Sequence, residues 1–113
     1  MFEDLFDELS KVLAWRWPIA DGTIVMVEIE KRRPALSNRE VSRLAIVYTF
    51  WVGNDGPYGG EGFWAPSFTL AAGKRLREAR RKMKVGTRVP VRYRPHDPSV
   101  NKLDRQAWRV PAD

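Results

Sequence analysis

The chain has 113 residues, 43% of them hydrophobic and 30% charged, with no cysteine and a formal net charge of +6. That length supports one domain with a real core, and the apolar content excludes wholesale disorder. The lack of cysteine excludes disulfides, thiolate metal ligands and a cysteine nucleophile.

No apolar run approaches the ~20 residues of a membrane-spanning helix; the longest extends only from Leu44 to Val52. Met1-Phe2-Glu3-Asp4 lacks the basic start of a secretory signal. The expectation is therefore a soluble, cytoplasmic protein with no membrane span in this chain. Its basic balance favours polyanionic partners such as nucleic acid or anionic lipid.

Phe2 to Trp15 reads as an amphipathic helix. Phe2, Leu5, Phe6, Leu9, Val12 and Leu13 recur at helical spacing, and Glu3, Asp4, Asp7 and Glu8 complement the dipole of its first turns. Trp17-Pro18 stops it, because the residue before proline avoids the α region. After a turn at Ala20-Asp21-Gly22, Thr23 to Ile29 reads as a strand rich in Val and Ile, with Val25, Val27 and Ile29 expected in the core. Lys31 to Glu40 reads as a loop.

Val41 to Val52 is the longest strand expected, with Ile46, Tyr48 and Phe50 in the core. Both its faces are apolar, so a central strand covered on both sides is the expectation. Gly53-Asn54-Asp55-Gly56-Pro57 signals a turn. Tyr58 to Trp64 returns as a hairpin partner, with Gly59, Gly60 and Gly62 weakening it or making a bulge. Ser67 or Thr69 caps a helix running to about Lys84, with Gly86 at its end.

Arg88 to Arg94 alternates, with Val89, Val91 and Tyr93 inward and Arg88, Arg92 and Arg94 outward. Pro90 lacks a ladder donor, which suggests an edge strand. Pro95-His96-Asp97-Pro98-Ser99 turns the chain, Asp97 or Ser99 bonding back to the backbone, and Asp104 to Val110 is expected as the last strand. The expected fold is thus α+β, one domain over residues 1–113. It comprises an N-terminal helix over 1–15 and a β-rich body over 17–110. The body is a small, bent, mainly antiparallel sheet of about five strands, either a strongly bent sheet or a partly open barrel, with one basic helix before the last two strands; an α+β sandwich is the alternative.

Three pieces of this pattern carry a resemblance. They are Trp17 to Ile24, Tyr48 to Gly53 with Tyr58 shortly after, and Gly86 to Ser99 followed by Leu103. Together they resemble a bacterial family of uncharacterised role, domain of unknown function 3592. The resemblance implies no activity or cofactor; members of the family commonly carry transmembrane helices beside this domain.

The sharpest candidate site is the basic helix, where Lys74, Arg75, Arg77, Arg80, Arg81, Lys82 and Lys84 face a single acid, Glu78. Ala72, Leu76, Ala79 and Met83 form its buried seam. Such a face either grips phosphates by counterion release or is solvated, its long stems covering apolar surface. Trp51, Tyr58, Phe63 and Trp64 cluster around the glycine-rich hairpin and either line a pocket or pack in the core.

His96 and Asp97 form the one His–Asp pair, but sequence places no nucleophile beside them, so catalysis is not expected. A metal site would have only one His and carboxylates to draw on, and none is expected. The N-terminal helix either folds onto its own sheet or pairs with a second copy, since its six large apolar side chains are each worth roughly 1.5–3 kcal/mol when buried. The reading is a non-enzymatic binding or assembly module, whose partner is itself or another protein, with nucleic acid bound through Lys74–Lys84 as the alternative.

Overall fold

The computed structural model of the chain describes residues 16–33, 41–66 and 72–108. The expected N-terminal helix over residues 2–15 and the capping residues Ser67 and Thr69 lie outside these. Five strands form one sheet: β1 (Ile19–Arg32), β2 (Val41–Val52), β3 (Asp55–Trp64), β4 (Arg88–Arg94) and β5 (Asp97–Leu103). Among the described residues, one α-helix, α1 (Ala72–Lys82), lies between β3 and β4, and a short 3-10 helix, Arg105–Trp108, follows β5.

The strand order is β3-β2-β1-β4-β5 with every ladder antiparallel. The sheet curls until its outermost strands, β3 and β5, touch. This connectivity is that of a five-stranded, partly open barrel of the OB type, an architecture that by itself assigns no function.

The core follows from the two-residue period of β2. Leu44, Ile46, Tyr48 and Phe50 point inward and are buried, and Val89 and Val91 of β4 join them. α1 covers this core with Leu76, Ala79 and Met83. The other face of β2 is not covered as expected: Ala45, Val47 and Thr49 are half-buried, and Trp51 is exposed. β2 is interior to the sheet, but among the described residues only one of its faces meets a second layer.

The β1 expectation fails in its bounds and at one core residue: Ala20-Asp21-Gly22 is not a turn but pairs with β4, and the strand runs on through Lys31 and Arg32, which were expected in a loop. Ile24 pairs with Tyr48, and Met26, not Val25, pairs with Val47, so Val25 is the extra residue of a bulge. A bulge reverses which parity faces inward. Gly22 and Ile24 face the core before it, and Val27 and Ile29 pack against the core after it, while Val25 is 45% exposed. Both backbone groups of Ile24 bond to the segment that leads into β4. Its N–H donates to the Thr87 carbonyl (2.9 Å) and its carbonyl accepts from Gly86 N–H (2.7 Å). Gly86, at φ +92°, supplies the turn this docking needs.

β4 is not an edge strand, because it lies between β1 and β5. Pro90 is accommodated because its donorless side faces the point where the β5 ladder has ended, and its carbonyl accepts Asp104 N–H at 3.0 Å. The last strand also sits earlier than expected. Asp97 begins β5 directly after a two-residue turn, and residues 105–108 form the 3-10 helix instead of a strand. Asp97 does bond back as expected, its carboxylate accepting Ser99 N–H at 3.2 Å.

The glycine-rich run is neither a loose loop nor a weak strand. Gly60 and Gly62 pair with Tyr48 and Ile46 on the inner face of β3. A side chain at Gly60 would overlap Asn101 and the Tyr48 ring, and one at Gly62 would overlap Leu103. These glycines let β5 close over β3. Asn101 spans the gap, accepting the Tyr48 hydroxyl at 2.6 Å and donating to the Gly59 carbonyl at 3.1 Å.

Candidate functional site

A cleft of about 330 Å³ opens where α1 meets the end of the barrel, lined by Trp64, Trp108, Arg75, Glu78, Ala79, Lys82 and Met83. Each wall has a local cause. Trp64 ends β3 on its inward-facing parity, opposite Leu44. Trp108 lies beside it because Gly62 leaves room: a Cβ there would come within 3.2 Å of the Trp108 ring. Ala79 and Met83 are the floor, part of the buried seam of α1. Arg75, Glu78 and Lys82 stand on the adjoining helix face, spaced by one turn and the next, and all three are exposed.

The Trp108 wall is anchored by a pair that the alternation of β4 conceals. Arg92 was expected outward. Instead its Nε donates to Asp104 Oδ1 at 2.6 Å and its Nη1 to the Trp17 carbonyl at 2.7 Å. Asp104 is 7% exposed. Its carbonyl accepts Ala107 N–H at 3.0 Å and its Oδ2 accepts Gln106 N–H at 3.2 Å, capping the 3-10 helix that carries Trp108. Burial pushes the Asp104 carboxyl up, but the hydrogen bond and charge of Arg92 and the N–H groups of Gln106 and Arg105 outweigh it and hold the carboxyl below its ordinary range. Arg94, also expected outward, is half-buried, its guanidinium 5.6 Å from the Trp17 ring centroid.

The structure redistributes the aromatic set. Trp51, Tyr58, Phe63 and Trp64 do not share one pocket. Tyr58 is half-buried and packs tilted against Phe50 of the core, with centroids 5.7 Å apart. Phe63 and Trp51 are on the outer face of the sheet, 42% and 55% exposed. Trp64 alone reaches the cleft, and Trp108, which sequence reasoning assigned to a strand, is its counterpart.

The basic set divides as well. Arg75 and Lys82 border the cleft, whereas Lys74, Arg77, Arg80, Arg81 and Lys84 are exposed outside it. None of the seven takes part in the ion pairs seen among the described residues. Helical spacing located the buried seam of α1, but nothing in the sequence showed that Trp64 and Trp108 would meet the Arg75/Lys82 face. The one available signal was Asp104-Arg105-Gln106, an acid followed by residues that suit a short capped helix.

His96 lies exposed in the two-residue turn, and Asp97 is committed to the backbone and hydroxyl of Ser99. The adjacent pair is not brought together as one site. Burial raises the Tyr48 hydroxyl to about 12, so at neutral pH it serves as the donor to Asn101. Among the described residues no three of His, Asp and Glu converge in a group that could hold a metal ion, and no helix is long and apolar enough to cross a membrane.

No curated protein and no solved structure matches the chain. The model of one family, described as a domain of unknown function (DUF3592), matches residues 20–108, from the start of β1 to the end of the 3-10 helix. The chain belongs to this uncharacterised family, domain of unknown function 3592.

Proposed function

We propose that the domain works by binding and not by chemistry, and that its ligand is a small organic anion with a planar apolar body, held in the cleft between α1 and the barrel. One observation carries this reading: two indoles border a single cleft together with two cations that lie outside the ion pairs among the described residues. Indole faces suit a flat apolar body, and Arg75 and Lys82 at the rim suit a carboxylate, sulfonate or phosphate. Glu78 between them disfavours a second anionic group at the centre, so the ligand's charge lies toward one end. The volume is at the lower end of that of small-molecule pockets.

The test is titration with anilinonaphthalene sulfonate, which combines both features, alongside a ringless anion and an uncharged ring compound. The dye is expected to bind saturably while quenching tryptophan emission. Arg75→Glu with Lys82→Glu is expected to weaken it roughly tenfold or more, with an unchanged melting temperature. Equal binding by that variant, or equal binding of the ringless anion, would overturn the reading.

A second reading concerns the rest of α1. Lys74, Arg77, Arg80 and Arg81 are exposed and outside the ion pairs among the described residues, which supports polyanion binding through counterion release. Its test differs, because it rests on cations away from the cleft.

A further inference from the structure

We infer that the outer face of β1–β3 docks a polypeptide whose apolar side chains are flanked by lysine or arginine. This goes beyond the cleft and uses none of its residues. The register fixes the pattern: on this face Val47 lies between Met26 and Glu61, and in the next row Ala45 lies between Glu28 and Phe63. Two large apolar groups therefore occupy opposite corners of the patch, and two carboxylates occupy the other corners.

Met26 is 52% and Phe63 42% exposed, with Trp51, 55% exposed, farther along β2. Taking roughly 150–250 Å² for a large side chain, these three leave on the order of 300 Å² of apolar surface accessible. That is the size of the largest patch on an ordinary monomer, a patch that is often functional.

The charges select the occupant. Glu28 and Glu61 are exposed and outside the ion pairs among the described residues. Glu30, by contrast, is bonded to Arg43 at 2.8 Å, and the Arg43 guanidinium sits 3.9 Å from the Phe63 ring centroid, fixing that ring in place. A second copy fits poorly. A two-fold axis through the centre of the patch, along or across the strands, lays Glu28 and Glu61 on Met26 and Phe63; a diagonal axis lays carboxylate on carboxylate. A partner with cations beside its apolar groups meets all four corners. The carboxylates also disfavour an anionic lipid surface. Strand addition is not the mode, because β3 and β5, the outermost strands, close on one another.

The experiment titrates the full chain with three labelled peptides, read by fluorescence anisotropy at ~0.15 M salt. They are a short amphipathic peptide of Leu and Lys, its Leu/Glu counterpart, and a Gly/Lys peptide of equal charge. Because the whole protein carries +6, long-range charge opposes the Leu/Lys peptide, so its binding reports a local surface. The Leu/Lys peptide is expected to bind and the Gly/Lys peptide is not. Phe63→Ser and Met26→Ser should each weaken binding roughly tenfold, and Glu28→Lys with Glu61→Lys should abolish it, all with unchanged melting temperature. Arg75→Glu with Lys82→Glu should leave it intact, which separates this face from the cleft. Binding that survives the glutamate reversals, no binding at all, or Phe63-dependent uptake by lipid vesicles in place of peptide binding would each overturn the inference.

Discussion

Replacing Gly60 with Ala tests how the barrel closes. A Cβ at Gly60 would overlap the Asn101 side chain and the ring of Tyr48, which is fully buried. Asn101 is the side chain that joins β5 to β3, and to relieve the overlap it must release the Tyr48 hydroxyl, now 2.6 Å away. Overpacking a filled interior costs about 1–3 kcal/mol, and a buried hydroxyl left unsatisfied costs about 1–3 kcal/mol more. The loss of glycine's freedom in the unfolded chain returns less than about 1 kcal/mol. The net expectation is a destabilisation of about 3 kcal/mol, which in a domain of this size lowers the melting temperature by roughly 10 °C.

Gly59 supplies the control. A Cβ there meets nothing closer than the Tyr48 carbonyl at 3.9 Å, so Gly59→Ala should be neutral or slightly stabilising. Thermal and urea denaturation of the two variants, followed by circular dichroism, gives the comparison. Equal stability of the two would refute closure of β5 over β3.

Three further expectations follow from particular contacts. Asp104→Asn should cost about 2 kcal/mol at neutral pH, since it removes a charge-assisted bond to Arg92 in a largely buried place. Because the folded pKa of Asp104 is lowered, its stabilisation is present above the unfolded carboxylate value of about 4 and is lost as pH falls through the folded one. The gap between wild type and variant should therefore close in acid, and a gap constant with pH in denaturation curves would contradict the pairing. Ile24→Ala should cost about 2–5 kcal/mol, whereas Val25→Thr in the bulge should stay within about 1 kcal/mol; equal losses in urea melts would refute the bulge. Arg77→Glu with Arg81→Glu should flatten the salt dependence of any DNA or RNA retention while leaving cleft binding unchanged. An undiminished slope would assign that retention to another surface.

Much of the fold was legible because apolar periodicity is strong in three places. Ile46, Tyr48 and Phe50 of β2 and Val89 and Val91 of β4 are buried as their alternation requires, and Leu76, Ala79 and Met83 fall on the buried side of α1. The failures have definite causes. A bulge changes parity without any distinctive residue, so Val25 read as core and Ile24 did not. Pro90 read as an edge signal because a sequence does not show that a neighbouring strand ends beside it. Gly60 and Gly62 read as weakness, since a close approach of two strands distant in sequence leaves only missing side chains as its trace.

The candidate site was legible only in fragments. The cations of α1 were plain, but Trp64 and Trp108 are separated by more than forty residues and meet through Gly62 and the Asp104 anchor. Alternation puts Arg92 in an exposed row, because it reports the side of a strand and not what folds back over it. Neighbouring aromatics in sequence, Phe63 and Trp64, face opposite ways, so clustering along the chain overstated their proximity in space.

The most direct test of the binding reading is the tryptophan indole N–H spectrum during titration with anilinonaphthalene sulfonate. Each of the five tryptophans contributes one indole N–H signal, to be assigned by single substitutions. The account predicts saturable shifts of the Trp64 and Trp108 signals at one common affinity, while Trp17 and Trp51 stay in place. Shifts confined to Trp51 on the outer face, or no shift of Trp64 and Trp108 at saturating dye, would contradict it.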